Sequence, residues 1–125
     1  VSGHNLGTAP IENSINEHPE VVESAVVGYP HDIKGNALMA YVILYNTTDD
    51  SERLIKEIRE QISNTIGPIA KPDRVLIVSG LPKTRSGKIM RRILRKLASN
   101  EMDQLGDIST LLNPEIVDEI KKELS

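Results

Sequence analysis

One uninterrupted apolar run, residues 37–45 with the sequence ALMAYVILY, constrains the fold of this chain more than any other feature. The run is far shorter than the roughly 20 residues that a membrane-spanning helix needs. A strand with one solvated face alternates apolar and polar residues, whereas a continuously apolar strand is covered on both faces. We therefore predict that residues 37–45 form a strand buried on both sides of a sheet.

The first part of the chain is predicted to supply a helix and a second strand. Residues 9–17 form a short helix in this prediction, with Thr8 as N-cap and a proline in the first turn. Residues 21–27 are β-branched and apolar enough for a strand, and residues 28–35 carry the Gly and Pro residues typical of a turn.

The second part is predicted to alternate helices and strands in the same way. A polar turn at residues 46–51 supplies a helix cap. The further predictions are a helix over 54–66, a strand over 74–78, a polar loop over 83–87, a helix over 90–97 and a terminal helix over 114–124 that is capped by Asn113. The predicted fold class is α+β, a small sheet of at least three strands covered by helices.

The composition bounds the number of domains and excludes some chemistry. A chain of 125 residues builds one core, so residues 1–125 are predicted to form a single domain. The absence of Cys excludes disulfides and cysteine nucleophiles, and three Tyr without Phe or Trp leave nucleic-acid bases few stacking partners. Because the chain opens at Val1 without Met or a leader, we expect it to be part of a longer protein.

The charges are distributed unevenly along the chain. Residues 83–96 hold seven of the 15 Lys and Arg residues and none of the 18 acidic ones, although the net charge is −3. An anionic partner is expected at this segment. One alternative is that the basic run is only the solvated face of a helix, and another is that it binds nucleic acid or an acidic protein.

Lys88 is the candidate for chemistry within the basic segment. Ser86-Gly87-Lys88 invites a phosphate-loop interpretation, but that motif needs a glycine six positions before the lysine, and Pro82 stands there. A lysine on a flexible stem, where a mobile loop meets a helix start, suits a positioned cation that neutralises phosphate or carboxylate charge in a transition state.

Five ordered blocks carry a resemblance that covers nearly the whole chain. They are residues 1–9 (VSGHNLGTA), 25–35 (AVVGYPHDIKG), 66–73 (IGPIAKPD), 82–92 (PKTRSGKIMRR) and 105–111 (LGDISTL). In sequence and spacing they resemble the C-terminal part of the AMP-forming acetyl-CoA synthetases, within the superfamily of acyl-adenylate-forming enzymes.

The resemblance implies a two-step ligase whose N-terminal adenylating domain and hinge lie outside this chain. Acetate and ATP give acetyl-AMP and pyrophosphate, and CoA then gives acetyl-CoA and AMP. The C-terminal domain swings as a lid against its own N-terminal domain, and Lys88 is implied as the adenylation lysine. A propionyl- or other short-chain acyl-CoA synthetase remains an alternative, and the fragment alone is expected to be inactive.

The resemblance also implies cofactor contacts. Ser2 and Gly3 are implied to line the CoA channel. Asn5 and Ser63 stand where many relatives have arginines directed at the phosphates of the nucleotide and of CoA, so phosphate binding is expected to be altered at both positions. Arg59, one helical turn before Ser63, is a candidate to compensate.

The remaining implications concern metal binding, modification and location. His4, His18 and His31 have no partner at metal-ligand spacing, but the resemblance implies a structural Mg²⁺ near His18, held by backbone carbonyls of Asn16 and Val21. It further implies acetylation of Lys88 by a lysine acetyltransferase, reversed by a sirtuin-type deacetylase. Specific nucleic-acid binding and membrane binding are not expected, and the implied location is the cytoplasm, or the mitochondrial matrix in a eukaryote.

Overall fold

The computed structural model describes residues 7–31, 35–46 and 49–124, and this part of the chain is a mixture of helices and strands. The element order is α1 (Ala9–Asn16), β1 (Val21–His31), β2 (Gly35–Leu44), α2 (Ser51–Thr65), β3 (Arg74–Ile77), α3 (Arg91–Ala98) and α4 (Glu115–Leu124), with 3₁₀ turns at Pro68–Ala70 and Met102–Gln104. The α+β prediction is confirmed.

The three strands form one mixed sheet in the order β1-β2-β3. β1 runs antiparallel to β2, with Ala25 opposite Tyr41, and β2 runs parallel to β3, with Tyr41 opposite Leu76. A parallel pair needs a crossover connection, and α2 provides it. The continuously apolar strand β2 is therefore the central one.

Helices cover both faces of β2, as its apolar run predicts. Met39 and Tyr41 point into a core formed with α3 and α4, whereas Ala40 and Val42 point into a second core formed with α1 and α2. The buried Tyr41 hydroxyl donates to the Leu94 carbonyl oxygen over 2.8 Å, and burial raises the pKa of this phenol. The sheet thus separates an α1/α2 layer from an α3/α4 layer.

The turn predicted over residues 28–35 is wrong at its start. Residues 28–31 continue β1 and pair with β2, with Tyr29 opposite Ala37 and His31 opposite Gly35. Pro30 cannot donate a backbone hydrogen bond, but β1 is an edge strand, where a missing donor is tolerated. The turn is therefore shorter than predicted, and residues 32–34 lie outside the described part of the chain.

Two predicted helix starts are also corrected. Thr8 occupies the N-cap position of α1 but has helical backbone angles, and its hydroxyl caps nothing among the described residues. α3 begins at Arg91, with Met90 as its N-cap residue. The cap predicted before α2 is confirmed, because the Asp50 side chain accepts from the Arg53 N–H over 3.3 Å.

Candidate functional site

Lys88 lies in a tight hairpin-like turn that precedes α3. Lys83 and Ile89 form an antiparallel bridge, and the Thr84 N–H donates to the Lys88 carbonyl oxygen over 2.8 Å. The Gly87 N–H closes the turn on the Thr84 carbonyl oxygen over 2.9 Å, and Gly87 has a φ of +91°. A left-handed residue at this place in a short hairpin is ordinarily glycine, which explains why glycine directly precedes the lysine.

The turn orders its own backbone through side-chain hydroxyls. The Thr84 Oγ1 atom accepts from the Lys88 N–H over 3.0 Å and lies 2.9 Å from the Ser86 Oγ atom. Residues 83–87 were predicted as a mobile loop at a helix start. In the structure Lys88 instead follows a hydrogen-bonded turn, and Ile89 and Met90 separate it from α3.

The Lys88 side chain is exposed, and no acidic side chain of the described residues forms an ion pair with it. An exposed ammonium group on a fixed backbone can meet an anion that another surface brings to it. This is the geometry that a positioned cation requires.

The chain's own oxygen atoms engage four of the seven cations in the basic segment. Lys83 pairs with Glu23 over 2.9 Å, and Lys96 pairs with Glu101 over 3.4 Å. The remaining two contacts join Arg91 to Glu12 and the Arg92 guanidinium to the Leu105 carbonyl oxygen. Within the described ranges, Arg85, Lys88 and Arg95 are left exposed without such a partner, so the free positive surface is smaller than the sequence predicted.

Ser63 lies on α2, beside an open groove of about 730 Å³. Lys56, Arg59 and Lys71 bring three cations to the same groove, and Glu52 and Glu60 also line it. The Arg59 guanidinium donates to the Asp73 carbonyl oxygen over 3.3 Å. This hydrogen bond to the residue before β3 holds the Arg59 side chain in place. Arg59, the candidate to compensate for Ser63, thus lines the same groove as Ser63.

His18 is buried, and both of its ring nitrogens have partners. The Nδ1 atom accepts from the Glu20 N–H over 3.1 Å, and the Nε2 atom lies 2.9 Å from Glu57 Oε1. The hydrogen bond from His18, followed by that from Arg53, holds the pKa of the Glu57 carboxyl below its usual range. The sequence left His18 isolated, but the fold brings the carboxylates of Glu20 and Glu57 to it, with ligand atoms within 4.8 Å of one another.

The remaining predicted residues divide into two groups. Asn16 ends α1, where its side-chain oxygen accepts from the Ser24 hydroxyl over 2.8 Å, and Val21 begins β1. Ser2, Gly3 and Asn5 lie outside the described residues, so their predicted roles stay predictions.

A comparison with known protein families decides where the chain belongs. Residues 10–88 match the family model of the AMP-binding enzyme C-terminal domain, and the match ends on Lys88. The chain belongs to this family.

Curated relatives of this AMP-binding enzyme C-terminal domain include acetyl-coenzyme A synthetases. The chain is 57% identical over 120 residues to the acetyl-coenzyme A synthetase of Alcanivorax borkumensis and 58% identical over 120 residues to that of Alkalilimnicola ehrlichii. Each match covers 96% of this chain and 19% of the relative. The chain therefore spans about a fifth of the length of these relatives.

Solved structures share the fold of this C-terminal domain. An acyl-CoA synthetase from Brucella canis matches 82% of this chain and 19% of its own with a TM-score of 0.72 and 36% identity. Acetoacetyl-CoA synthetase from Streptomyces lividans matches 99% of this chain and 19% of its own with a TM-score of 0.73, and its 24% identity supports the fold alone. In the described ranges no helix has the length and apolar character needed to cross a membrane.

Sequence reasoning missed two polar residues that hold the segments next to the Lys88 turn. Glu12 is buried in α1, where it accepts from the Val26 N–H over 2.8 Å and from the Arg91 guanidinium. Asn113, predicted to cap α4, instead directs its side chain at the strand that enters the turn. Their partners lie 14 to 79 and 30 to 32 residues away, so no local pattern reveals them.

Proposed function

We propose that the chain is the C-terminal domain of an AMP-forming acetate-CoA ligase and supplies the lysine for its first half-reaction. The observation that carries this proposal is the exposed Lys88 on an ordered turn, without an ion-pair partner among the residues that the structure describes, in a chain 57% identical over 120 residues to an acetyl-coenzyme A synthetase. The N-terminal adenylating domain and the hinge belong to the rest of the enzyme.

In the first half-reaction the acetate carboxylate attacks the α-phosphorus of ATP and pyrophosphate leaves. Negative charge accumulates on the phosphate oxygens in the transition state, and a positioned ammonium group stabilises it. Lys88 provides this charge when the domain closes over the nucleotide. The hydrogen-bonded turn limits the positions that its backbone takes up, which lowers the entropic cost of alignment.

In the second half-reaction the CoA thiol attacks acetyl-AMP and releases AMP. Ser2 and Gly3 line the pantetheine channel in this proposal, and Asn5 lies near the nucleotide phosphates without supplying a charge. The groove beside Ser63 receives the CoA phosphates. The three cations at that groove, Lys56, Arg59 and Lys71, support this assignment because they supply the charge that Ser63 lacks.

A Mg²⁺ ion near His18 would play a structural part. Asn16 is the last residue of α1, and the final carbonyls of a helix have no partner within it, so the Asn16 carbonyl suits a hard cation together with that of Val21. The imidazole of His18 is already engaged at both nitrogens and orients the loop rather than binding the ion. The magnesium used in catalysis would accompany ATP in the rest of the enzyme.

Acetylation of Lys88 would regulate the first half-reaction. The side chain is exposed and accessible to an acetyltransferase and a sirtuin-type deacetylase. Acetylation removes the positive charge on which the proposed role depends.

The test replaces Lys88 in the complete enzyme. In Lys88→Ala, acetate-dependent pyrophosphate release should fall at least 100-fold, as expected for loss of a group that stabilises charge in the transition state. Conversion of supplied acetyl-AMP and CoA into acetyl-CoA should change less than twofold. Arg95→Ala, which removes another exposed cation of the same segment, is the matched control. Pyrophosphate release at the wild-type rate in Lys88→Ala would contradict the assignment.

Two other functions are less well supported. A propionyl- or other short-chain acyl-CoA synthetase would use the same lysine, and the relatives named acetyl-coenzyme A synthetase favour acetate. A nucleic-acid or acidic-partner module would need the basic segment free, whereas Lys83, Arg91 and Lys96 pair with the chain's own carboxylates.

A further inference from the structure

The two short segments that enter and leave the Lys88 turn, joined by the isolated bridge between Lys83 and Ile89, are held by different contacts. On the leaving side, the Met90 N–H donates to the Pro82 carbonyl oxygen over 2.9 Å, and Arg91 pairs with Glu12. On the entering side, the backbone N–H and the carbonyl oxygen of Lys83 both form hydrogen bonds, and its side chain pairs with Glu23. The backbone supports of the entering segment come from residues 112 and 113, near the end of the chain, and its side-chain support comes from Glu23.

Asn113 supplies the central part of that support. Its side-chain Oδ1 atom accepts from the Lys83 N–H over 3.1 Å, and its Nδ2 atom donates to the Leu81 carbonyl oxygen over 2.8 Å. The neighbouring Leu112 N–H donates to the Lys83 carbonyl oxygen over 2.9 Å. The primary amide thus satisfies one backbone donor and one backbone acceptor of the segment that enters the turn.

Packing keeps this contact in place. Leu81 and Leu111 are buried in the core of the α3/α4 layer, and Gly80 lies so close to Ile116 that a Cβ atom there would be 3.1 Å from the Ile116 Cδ1 atom. The start of α4 therefore lies directly against the segment that leads into the turn.

We propose that Asn113 is a positioning residue for Lys88, an inference that rests on the adenylation role proposed above. The amide joins the start of α4 to the base of the turn and thereby sets where the ammonium group stands when the domain closes. Asn113 touches no reacting atom in this proposal and acts only through the backbone of residues 81–88.

The test uses three variants of the complete enzyme and two measurements. Asn113→Ala removes both hydrogen bonds, whereas Asn113→Asp keeps the acceptor for the Lys83 N–H but places a carboxylate oxygen against the Leu81 carbonyl oxygen. Ser79→Ala is the matched control, because it removes a side-chain hydrogen bond of similar length, 2.6 Å to Glu119, that also reaches α4 but does not touch the turn. The measurements are the rates of the two half-reactions and the hydrogen exchange of the turn amides.

In Asn113→Ala, kcat for acetate-dependent pyrophosphate release should fall about 10-fold to 100-fold, since small misplacements of a catalytic group have effects of this size. The KM values for ATP and acetate should change less than threefold, and acetyl-AMP conversion less than twofold. Asn113→Asp should show a loss of similar size, because its carboxylate keeps the acceptor for Lys83 but repels the Leu81 carbonyl oxygen. Ser79→Ala should change neither rate. A purely structural role would instead slow both half-reactions together.

The second measurement separates this proposal from the proposed function. The amides of Thr84, Gly87 and Lys88 should exchange at least 10-fold faster in Asn113→Ala and at the wild-type rate in Ser79→Ala. In a Lys88→Ala background, Asn113→Ala should have no further effect on pyrophosphate release, because both changes act through one group. Unchanged exchange and unchanged kcat in Asn113→Ala, with Lys88→Ala still inactive, would overturn the positioning role alone. Normal activity of Lys88→Ala would overturn the proposed function.

Discussion

At the scale of single residues, Gly87 determines the shape of the Lys88 turn. Its φ of +91° lies in the left-handed region. Apart from Gly87 and its two chain neighbours, no heavy atom of the described residues lies within 4 Å of the place where a Cβ atom would stand. Space is therefore available for a side chain, and only the backbone conformation selects glycine here.

We predict that Gly87→Ala lowers the free energy of unfolding by about 1 kcal/mol, because alanine is strained at a positive φ. Gly28→Ala is the matched control. Gly28 has no positive φ, and a Cβ atom added to it would be 3.9 Å from the nearest atom, so this change should be close to neutral. Denaturant unfolding of the chain measures both values. Equal effects of the two substitutions would show that backbone strain at Gly87 is not the cause.

At the scale of elements, Glu12 joins α1 to two others. Its carboxylate accepts from the Val26 N–H of β1 and from the Arg91 guanidinium at the start of α3. The first helix thereby helps to hold the start of α3, which follows the turn, although α1 belongs to the opposite layer of the domain.

We predict that Glu12→Gln destabilises the chain by about 2 kcal/mol, since hydrogen bonds to charged groups contribute about that much each. Gln keeps an acceptor for Val26 but no longer neutralises Arg91. Glu17→Gln, an exposed carboxylate just after the same helix, should cost less than about 0.5 kcal/mol. In the Arg91→Gln background, Glu12→Gln should lower the free energy of unfolding by less than it does in the wild type. Fully additive effects of the two substitutions would show that Glu12 and Arg91 do not stabilise each other.

The regular elements were predictable because their signals are local. The apolar run 37–45 and the helical stripe of α2, predicted as Leu54, Ile55, Ile58, Ile62 and Ile66, depend on neighbouring residues. They are confirmed except at their ends, because Tyr45 and Ile66 lie beyond β2 and α2 and are exposed. The supports of the turn were not predictable, because Asn113 has the local pattern of a helix cap and its use is decided by a strand 30 residues earlier. Lys88 was selected from its motif and its role stays a prediction, whereas the order of its turn required the structure.

At the scale of the whole molecule, the free energy of unfolding should depend on pH in the acid range because of Glu57. The hydrogen bond from His18 and that from Arg53 lower the pKa of this carboxyl from its usual 4.5. The unfolded chain therefore takes up this proton at a higher pH than the folded one does. The contribution of Glu57 to the free energy of unfolding is fully present above pH 4.5 and is lost as the pH falls through the lowered pKa of the folded state.

We predict that Glu57→Gln is destabilising at neutral pH and that its difference from wild type shrinks as the pH is lowered from about 5 to about 3. Unfolding free energies measured across this range test the prediction. Glu60→Gln, which removes another carboxylate on the same helix, should leave the wild-type profile unchanged. A difference that stays constant down to the acid end of the range would contradict the predicted contribution.

The central sheet also separates the two surfaces that matter most for the proposed chemistry. The groove with Arg59 belongs to the α1/α2 layer, whereas Leu81 and Ile89, on either side of the lysine turn, pack into the α3/α4 layer. The two surfaces are thus built on different layers of the domain. Under the proposed function, reorientation of the domain as one rigid body would exchange the groove that receives the CoA phosphates for the turn that carries Lys88, without any internal rearrangement.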